Sequence, residues 1–286
     1  MGIYPLRGVN RCDPFGFARG KNDTILRLTA ISLPVRVENS FIPVRGVGET
    51  TERELWNAGV TEWDAFDPDV VGPTIADRIE TFIETARPRL EAGDATFFAE
   101  QFPSTEQWRL YENFRDDALF LDIETTGLDH QRDSVTTVSV HRDTETTTLV
   151  QGRDLSERRL HTVFDDAKLL VTFNGRQFDV PFLERSFGMN IDLPHLDLRY
   201  LCGRLDLTGG LKAVERSLGI ERDRPDISGR EAVRLWREYE RGDRQALETL
   251  ITYNREDTVN LEALLDTVTT RLHETIAPPT FDGEQP

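Results

Sequence analysis

Residues 118–128 read Ala-Leu-Phe-Leu-Asp-Ile-Glu-Thr-Thr-Gly-Leu, and no other stretch constrains the chain as much. A short apolar run that ends at a glycine is the pattern of a buried strand entering a loop. Side chains alternate across a strand, so Leu119, Leu121 and Ile123 take one face while Asp122 and Glu124 share the other. Two neighbouring carboxylates repel unless something neutralises them. A divalent cation does so, because Mg²⁺, Mn²⁺ and Ca²⁺ prefer oxygen ligands. Alone, such a pair is more often just a solvated strand end. It gains weight from carboxylates in matching settings further on, and Asp179 and Asp257 supply them.

With 286 residues, 38% of them hydrophobic, the chain can form one large or two modest domains around a real core. No run approaches the roughly 20 apolar residues of a membrane span. Residues 24–37 are partly apolar, but Arg27 interrupts them and no small-residue cleavage site follows, so no signal peptide is read. Cys12 and Cys202 lie far apart without metal-ligand spacing, which fits a reducing, cytoplasmic location.

Charge is the unusual feature. Lys and Arg total 34 against 51 Asp and Glu, a net of −17. Only Lys21, Lys168 and Lys212 are lysines, which leaves 31 arginines. So acidic a surface ordinarily argues against a nucleic-acid partner. The composition resembles that of haloarchaeal proteins, whose excess carboxylates keep a surface hydrated in concentrated salt. At molar salt the counterion-release contribution to nucleic-acid binding is largely lost, so missing basic patches say little against such a partner.

Residues 1–38 are expected to stand apart as a flexible or non-native extension. Residues 1–36 carry six basic and two acidic side chains, and translation starting at Val35 or Val37 is an alternative. Residues 39–92 read as a small helical module. Gly46-Val47-Gly48 is a tight turn, and Thr51-x-x-Glu54 and Thr61-x-x-Asp64 are signals for helix starts. This pattern resembles a helix-hairpin-helix element, which implies that Gly46 and Gly48 offer backbone N–H groups to a phosphate. Packing of Leu55, Trp56, Trp63 and Phe66 is the structural alternative, and Arg45 stands where that family has proline. Residues 74–92 have helical spacing that Pro88 disturbs. Residues 93–115 form an aromatic-rich helical linker that docks onto the next domain.

The main domain is expected over 116–272, with a loose tail over 273–286. After the first strand come β-branched runs at 134–140 and 146–150, then a helix at 154–164. A buried strand at 169–173 runs into Asn174-Gly175-Arg176-Gln177-Phe178-Asp179-Val180-Pro181-Phe182-Leu183, a strand-to-helix junction of the kind that carries sites in α/β sheets. Asp179 alone could be a helix N-cap. From Leu196 onward the pattern is helical, with segments at 211–218, 229–241 and 244–272 and Asp243 as a cap. The last has a long apolar stripe interrupted by Asn254 and Asp257, polar groups that need partners. Tyr253 and Asp257, four residues apart, share a helix face.

In this order, D-x-E, N-G-x-x-F-D-x-P-F-L and Y-x-x-x-D resemble the three motifs of DEDD-type 3′→5′ exonucleases. The tyrosine spacing is that of the DEDDy branch, found in proofreading domains of family B polymerases. Residues 39–272, including Gln107-Trp108-Arg109-Leu110-Tyr111 and 209–220, look like the YprB-type ribonuclease-H-like family. The resemblance implies an α/β fold, a ribonuclease-H-like mixed sheet flanked by helices. It implies two cations, Mg²⁺ or Mn²⁺, with Asp122 bridging them, Glu124 and Asp257 on the water-activating ion and Asp179 on the other. Tyr253 would orient the attacking water or help to deprotonate it. Asn174 and Phe178 would touch the terminal nucleotide, Leu128 would wedge beside its base, and Thr125 and Thr126 would complete the substrate contacts. The implied partner is a single-stranded 3′ end, DNA or RNA. A non-catalytic nucleic-acid adaptor and a ribonuclease H-type endonuclease are the alternatives.

Overall fold

The computed structural model describes residues 35–223 and 227–277. Five strands form one mixed sheet: β1 (Ala118–Thr125), β2 (Val135–Arg142), β3 (Glu145–Val150), β4 (Leu169–Thr172) and β5 (His195–Asp197). Their order is β3-β2-β1-β4-β5. β1 pairs antiparallel with β2, which pairs antiparallel with β3, whereas β4 runs parallel to both β1 and β5. This is the α/β ribonuclease-H-like architecture, a mixed sheet flanked by helices with a helical region before it.

Ten α-helices accompany the sheet among the described residues. Four precede it: α1 (Glu49–Asn57), α2 (Pro73–Glu91), α3 (Ala95–Gln101) and α4 (Tyr111–Phe114). Between β3 and β5 lie α5 (Glu157–Phe164) and α6 (Asp179–Phe187). The rest are α7 (Leu198–Arg204), α8 (Leu211–Leu218), α9 (Gly229–Glu240) and α10 (Arg244–Ile276). None is long and apolar enough to cross a membrane.

The alternation along β1 sorts its side chains into two cores. Leu119, Leu121 and Ile123 pack with Val138, Leu160, Leu170 and Phe182. Phe120, on the opposite face, joins a larger cluster that contains Trp56, Trp63, Phe98, Trp108 and the α10 residues Leu261, Leu264 and Leu265. The helical region before β1 therefore shares one core with the sheet. A buried ion network ties it down. Arg109 Nη1 lies 2.8 Å from Glu52 Oε2 on α1 and donates to Ser40 Oγ at 2.8 Å, while its Nη2 lies 2.9 Å from Glu106. Glu52 Oε1 in turn accepts from Ser40 Oγ and the Phe41 N–H.

Several boundaries differ from the sequence expectation. The expected extension over 1–38 lies outside the described residues up to 34, but Val35 and Val37 are buried in the large core. The Val37 N–H donates to Asn113 at 2.8 Å, so the packed chain includes residues 35–38 of the expected extension. The first helix starts at Glu49 with Gly48 as its N-cap, which places Thr51 inside it. The helix expected after Thr61 is one 3₁₀ turn over Trp63–Ala65 with Glu62 at its N-cap. α2 runs through Pro88 to Glu91, and the Ala92 N–H closes on the Pro88 carbonyl. The chain at 195–197 is an edge strand and not helix; three residues carry too little periodicity to show it. α10 continues to Ile276 because His273 and Ile276 are buried, so the expected tail cannot begin at 273; residues 278–286 lie outside the described set.

Replacing Arg109 by Met should leave Glu52 buried without its ion partner. Breaking one side of a buried pair costs about 3–5 kcal/mol, and a urea melt of Arg109→Met against the wild type measures that loss.

Candidate active site

The site forms where α10 crosses β1. Asp122 and Glu124 stand on the β1 face that α10 covers, and Asp257 projects from the helix toward them. One oxygen from each of the three carboxylates lies within 4.8 Å of the others, the one such grouping among the described residues. The approach is fixed by Asn254, fully buried one helical turn before Asp257. Its Nδ2 donates to Asp122 Oδ2 at 2.6 Å and to the Asp122 carbonyl at 3.2 Å. Its Oδ1 accepts from Thr137 Oγ1 on β2 at 2.9 Å. Thr137 is the register partner of Glu124. One amide thus joins two strands and the long helix, and satisfies a polar group on an otherwise apolar stripe.

Asp179 enters from the other side. It is the first residue of α6 and not its N-cap, and its Oδ1 accepts from the Ile123 N–H at 3.1 Å, between Asp122 and Glu124. It is buried and outside the three-carboxylate grouping, yet its charge acts on both Asp122 and Glu124. The junction needs Gly175, because a Cβ there would lie 2.3 Å from Thr172 Oγ1.

Burial first, then mutual repulsion, pushes Asp122 and Glu124 well above the usual carboxylate range. Burial pushes Asp179 up to about 7. Asp257 is also raised by burial, but Arg222 opposes this, since its guanidinium contacts both Asp257 and the buried Glu215 of α8. Tyr253 stands one turn before Asp257 on α10, and burial with the surrounding carboxylates drives its hydroxyl far upward. The donor set is all oxygen, partly desolvated and short of positive charge, which fits hard divalent cations held by Asp122, Glu124 and Asp257.

Two cavities share Leu128 and Phe178 in their walls, and the first also reaches Glu124. The first, about 630 Å³, is bordered by Glu124, Thr125 and Thr126 and by Arg230 and Arg237 of α9. The second, about 830 Å³, is bordered by Asn174, Arg199 and the Gly209-Gly210 turn. Leu128 is 84% exposed at the loop tip. Phe178 packs on Phe182 with ring centroids 4.8 Å apart, so it belongs to the core edge as well as to both cavities. Thr125 Oγ1 donates to the Gly127 carbonyl, and Thr126 Oγ1 accepts from the Ser134 N–H at 3.0 Å, so both also hold their loop. Asn174 adopts a left-handed backbone (φ 69°), with its N–H on Asp197 and its side-chain oxygen accepting from Arg199. Gly46 and Gly48 border neither cavity; they form the turn that starts α1, where Gly46 has φ 99°.

Thr137, Arg222, Arg230, Arg237 and Lys212 escape a reading of the sequence. Thr137 gives no signal, being one β-branched residue among many in β2. Lys212 does give one, as one of three lysines in the chain.

A model described as the RNase_H superfamily matches residues 119–269, just over half of the chain, and the chain belongs to that superfamily. No curated protein matches it. Solved structures with a similar fold include a nuclease in its apo form, 22% identical, covering 58% of this chain and 77% of that one with a TM-score of 0.42. Another is NrnC of Brucella melitensis with bound Mg²⁺, at 19%, 60%, 81% and 0.43 respectively. The family B DNA polymerase of the hyperthermophilic archaeon Pyrobaculum calidifontis is a third, at 20%, 54%, 27% and 0.41.

Asn254→Ala should free Asp122 while leaving every carboxylate in place. Loss of a partner that orients a ligand typically weakens metal binding about 10–100-fold, which calorimetric Mn²⁺ titration would read.

Proposed function

We propose that this chain is a metal-dependent 3′→5′ exonuclease of the DEDDy type, hydrolysing phosphodiester bonds at a single-stranded 3′ end. The observation that carries this reading is the approach of one oxygen each from Asp122, Glu124 and Asp257 to within 4.8 Å, with Tyr253 one turn before Asp257 on the same helix. Two divalent cations, Mg²⁺ or Mn²⁺, would be held by these carboxylates and by Asp179, and would supply positive charge to the attacking and leaving oxygens. Asn254 fixes the orientation of Asp122. Tyr253, on the helix face of Asp257, would orient the attacking water or help to deprotonate it. Leu128 and Phe178 line both cavities, and the terminal nucleotide is placed against them with Asn174, Thr125 and Thr126 around it. Gly46 and Gly48, in the turn that starts α1, are assigned backbone N–H contacts to a phosphate of the strand, as in a helix-hairpin-helix element. A salt-rich cytoplasm is the setting that the net charge of −17 favours.

The Arg222 guanidinium on Asp257 favours a second reading, a non-catalytic adaptor on a nuclease fold, because it occupies a ligating carboxylate. A panel of 5′-labelled DNA and RNA strands in molar KCl with Mg²⁺ or Mn²⁺ separates the readings. The exonuclease reading expects a ladder shortening from the 3′ end, no attack on a circular strand and none in EDTA. Binding without cleavage favours the adaptor, and cleavage of circles favours an endonuclease. Asp257→Asn should abolish cleavage and weaken Mn²⁺ binding. Tyr253→Phe should keep Mn²⁺ affinity and lose rate by at most about 10²–10⁴-fold. Cleavage by Tyr253→Phe at the full single-turnover rate would remove the tyrosine from the mechanism.

A further inference from the structure

Lysine is almost excluded from this chain, and Lys168 sits in an ordinary ion pair, 2.9 Å from Asp117. Lys212 is different. It is the second residue of α8, directly after the Gly209-Gly210 turn that borders the larger cavity. Its Nζ is shielded from solvent and has no hydrogen-bond partner among the described residues. It lies 4.6 Å from the centroid of the Tyr253 ring. The charges of Asp257, Glu215 and Glu256 act on it, as does Arg222, and its own charge acts on Glu124. Yet none of these carboxylates reaches ion-pair distance among the described residues. An ammonium carries three donors and no acceptor, and leaving them unmade away from water is costly.

The missing acceptor must be an oxygen, and the surroundings specify its charge. A cation cannot bind to an ammonium, and no carboxylate among the described residues pairs with it. A ligand whose anionic oxygens meet cations held by Asp122, Glu124 and Asp257 would place one beside Lys212, whose charge acts on Glu124 and Asp257. Phosphodiesters do this, because each carries two non-bridging oxygens and can face the cations with one and the ammonium with the other. The face of Tyr253 favours a compact point charge through its ring quadrupole, with freely rotating donors still available. Resting on the nuclease reading, we infer that Lys212 donates a hydrogen bond to a non-bridging oxygen of the scissile phosphodiester, which makes it a catalytic residue beyond the four carboxylates and the tyrosine. A donor already in place where negative charge accumulates stabilises the transition state more than the ground state.

Lys212→Met tests this. Its single-turnover rate on a saturating labelled strand should fall about 10²–10³-fold, the range for losing one such donor. Its melting temperature should be unchanged or higher, and its Mn²⁺ affinity equal or tighter, because a positive charge beside the ligands is gone. A binding cycle without metal gives a second readout. In EDTA, a methylphosphonate at the 3′-terminal linkage should weaken wild-type binding more than it weakens Lys212→Met, by about tenfold. Lys212→Gln replaces Met in both measurements if Lys212→Met does not fold. Cleavage by the variant at the wild-type rate, equal methylphosphonate effects in both proteins, or loss of Mn²⁺ binding in the variant would each overturn the inference. A wild type that cleaves no strand would instead sink the nuclease reading, and the EDTA cycle would still decide whether Lys212 meets the phosphate.

Discussion

The arrangement depends on one side-chain amide. Asn254, a residue of α10, holds Thr137 on β2 and Asp122 on β1 in a single set of hydrogen bonds. Around it, Leu250 and Leu261 continue the helix into apolar packing on either side. The helix could slide or rotate on a purely apolar sheet face with little penalty for a small error. A buried amide with defined partners on two strands removes that freedom, since any shift leaves polar groups unpaired. Asp257, one turn further on, is thereby brought against Asp122 and Glu124 at a fixed height.

What this positioning creates is electrostatically unfavourable by itself. Three carboxylates meet with a fourth, Asp179, held on the backbone of the same strand, in a region from which water is largely excluded. Among the described residues, Arg222 and Lys212 are the cations whose charge acts on Asp257, and Arg222 divides its guanidinium between Asp257 and Glu215. Elsewhere the protein settles its buried charges with arginine, as Arg109 does between Glu52 and Glu106. The site is the exception, with more buried negative charge than its side chains neutralise. A site of this kind gains stability when cations enter, so binding energy and structural strain relief are the same quantity.

Much of this was legible in the sequence where a pattern is local and long. The alternation in 118–125 gives β1 and the shared face of Asp122 and Glu124, and the stripe from Leu247 to Leu272 gives α10. Asn254 was visible as a polar interruption needing a partner, though its partner Thr137 lies 117 residues away and no local rule selects it. Short elements failed for the opposite reason. β5 is three residues long, and its role is to carry Asp197, which caps α7 and holds the Asn174 loop. Thr51 and Thr61 satisfied capping spacings, yet tertiary packing of Leu55, Trp56 and Trp63 set the helix starts elsewhere. Arg222 lies beyond the reach of any spacing rule, since its ion pairs form across chain separations of 7 and 35 residues.

The central claim is that the carboxylates gathered by Asn254 form a cation site. Diffraction from crystals grown with Mn²⁺, recorded near the manganese absorption edge, tests it without reference to activity. The expected result is anomalous density bounded by Asp122, Glu124 and Asp257, with the Arg222 guanidinium displaced from or sharing Asp257. Density confined to other acidic surfaces, with Arg222 still closed on Asp257 at millimolar Mn²⁺, would contradict it.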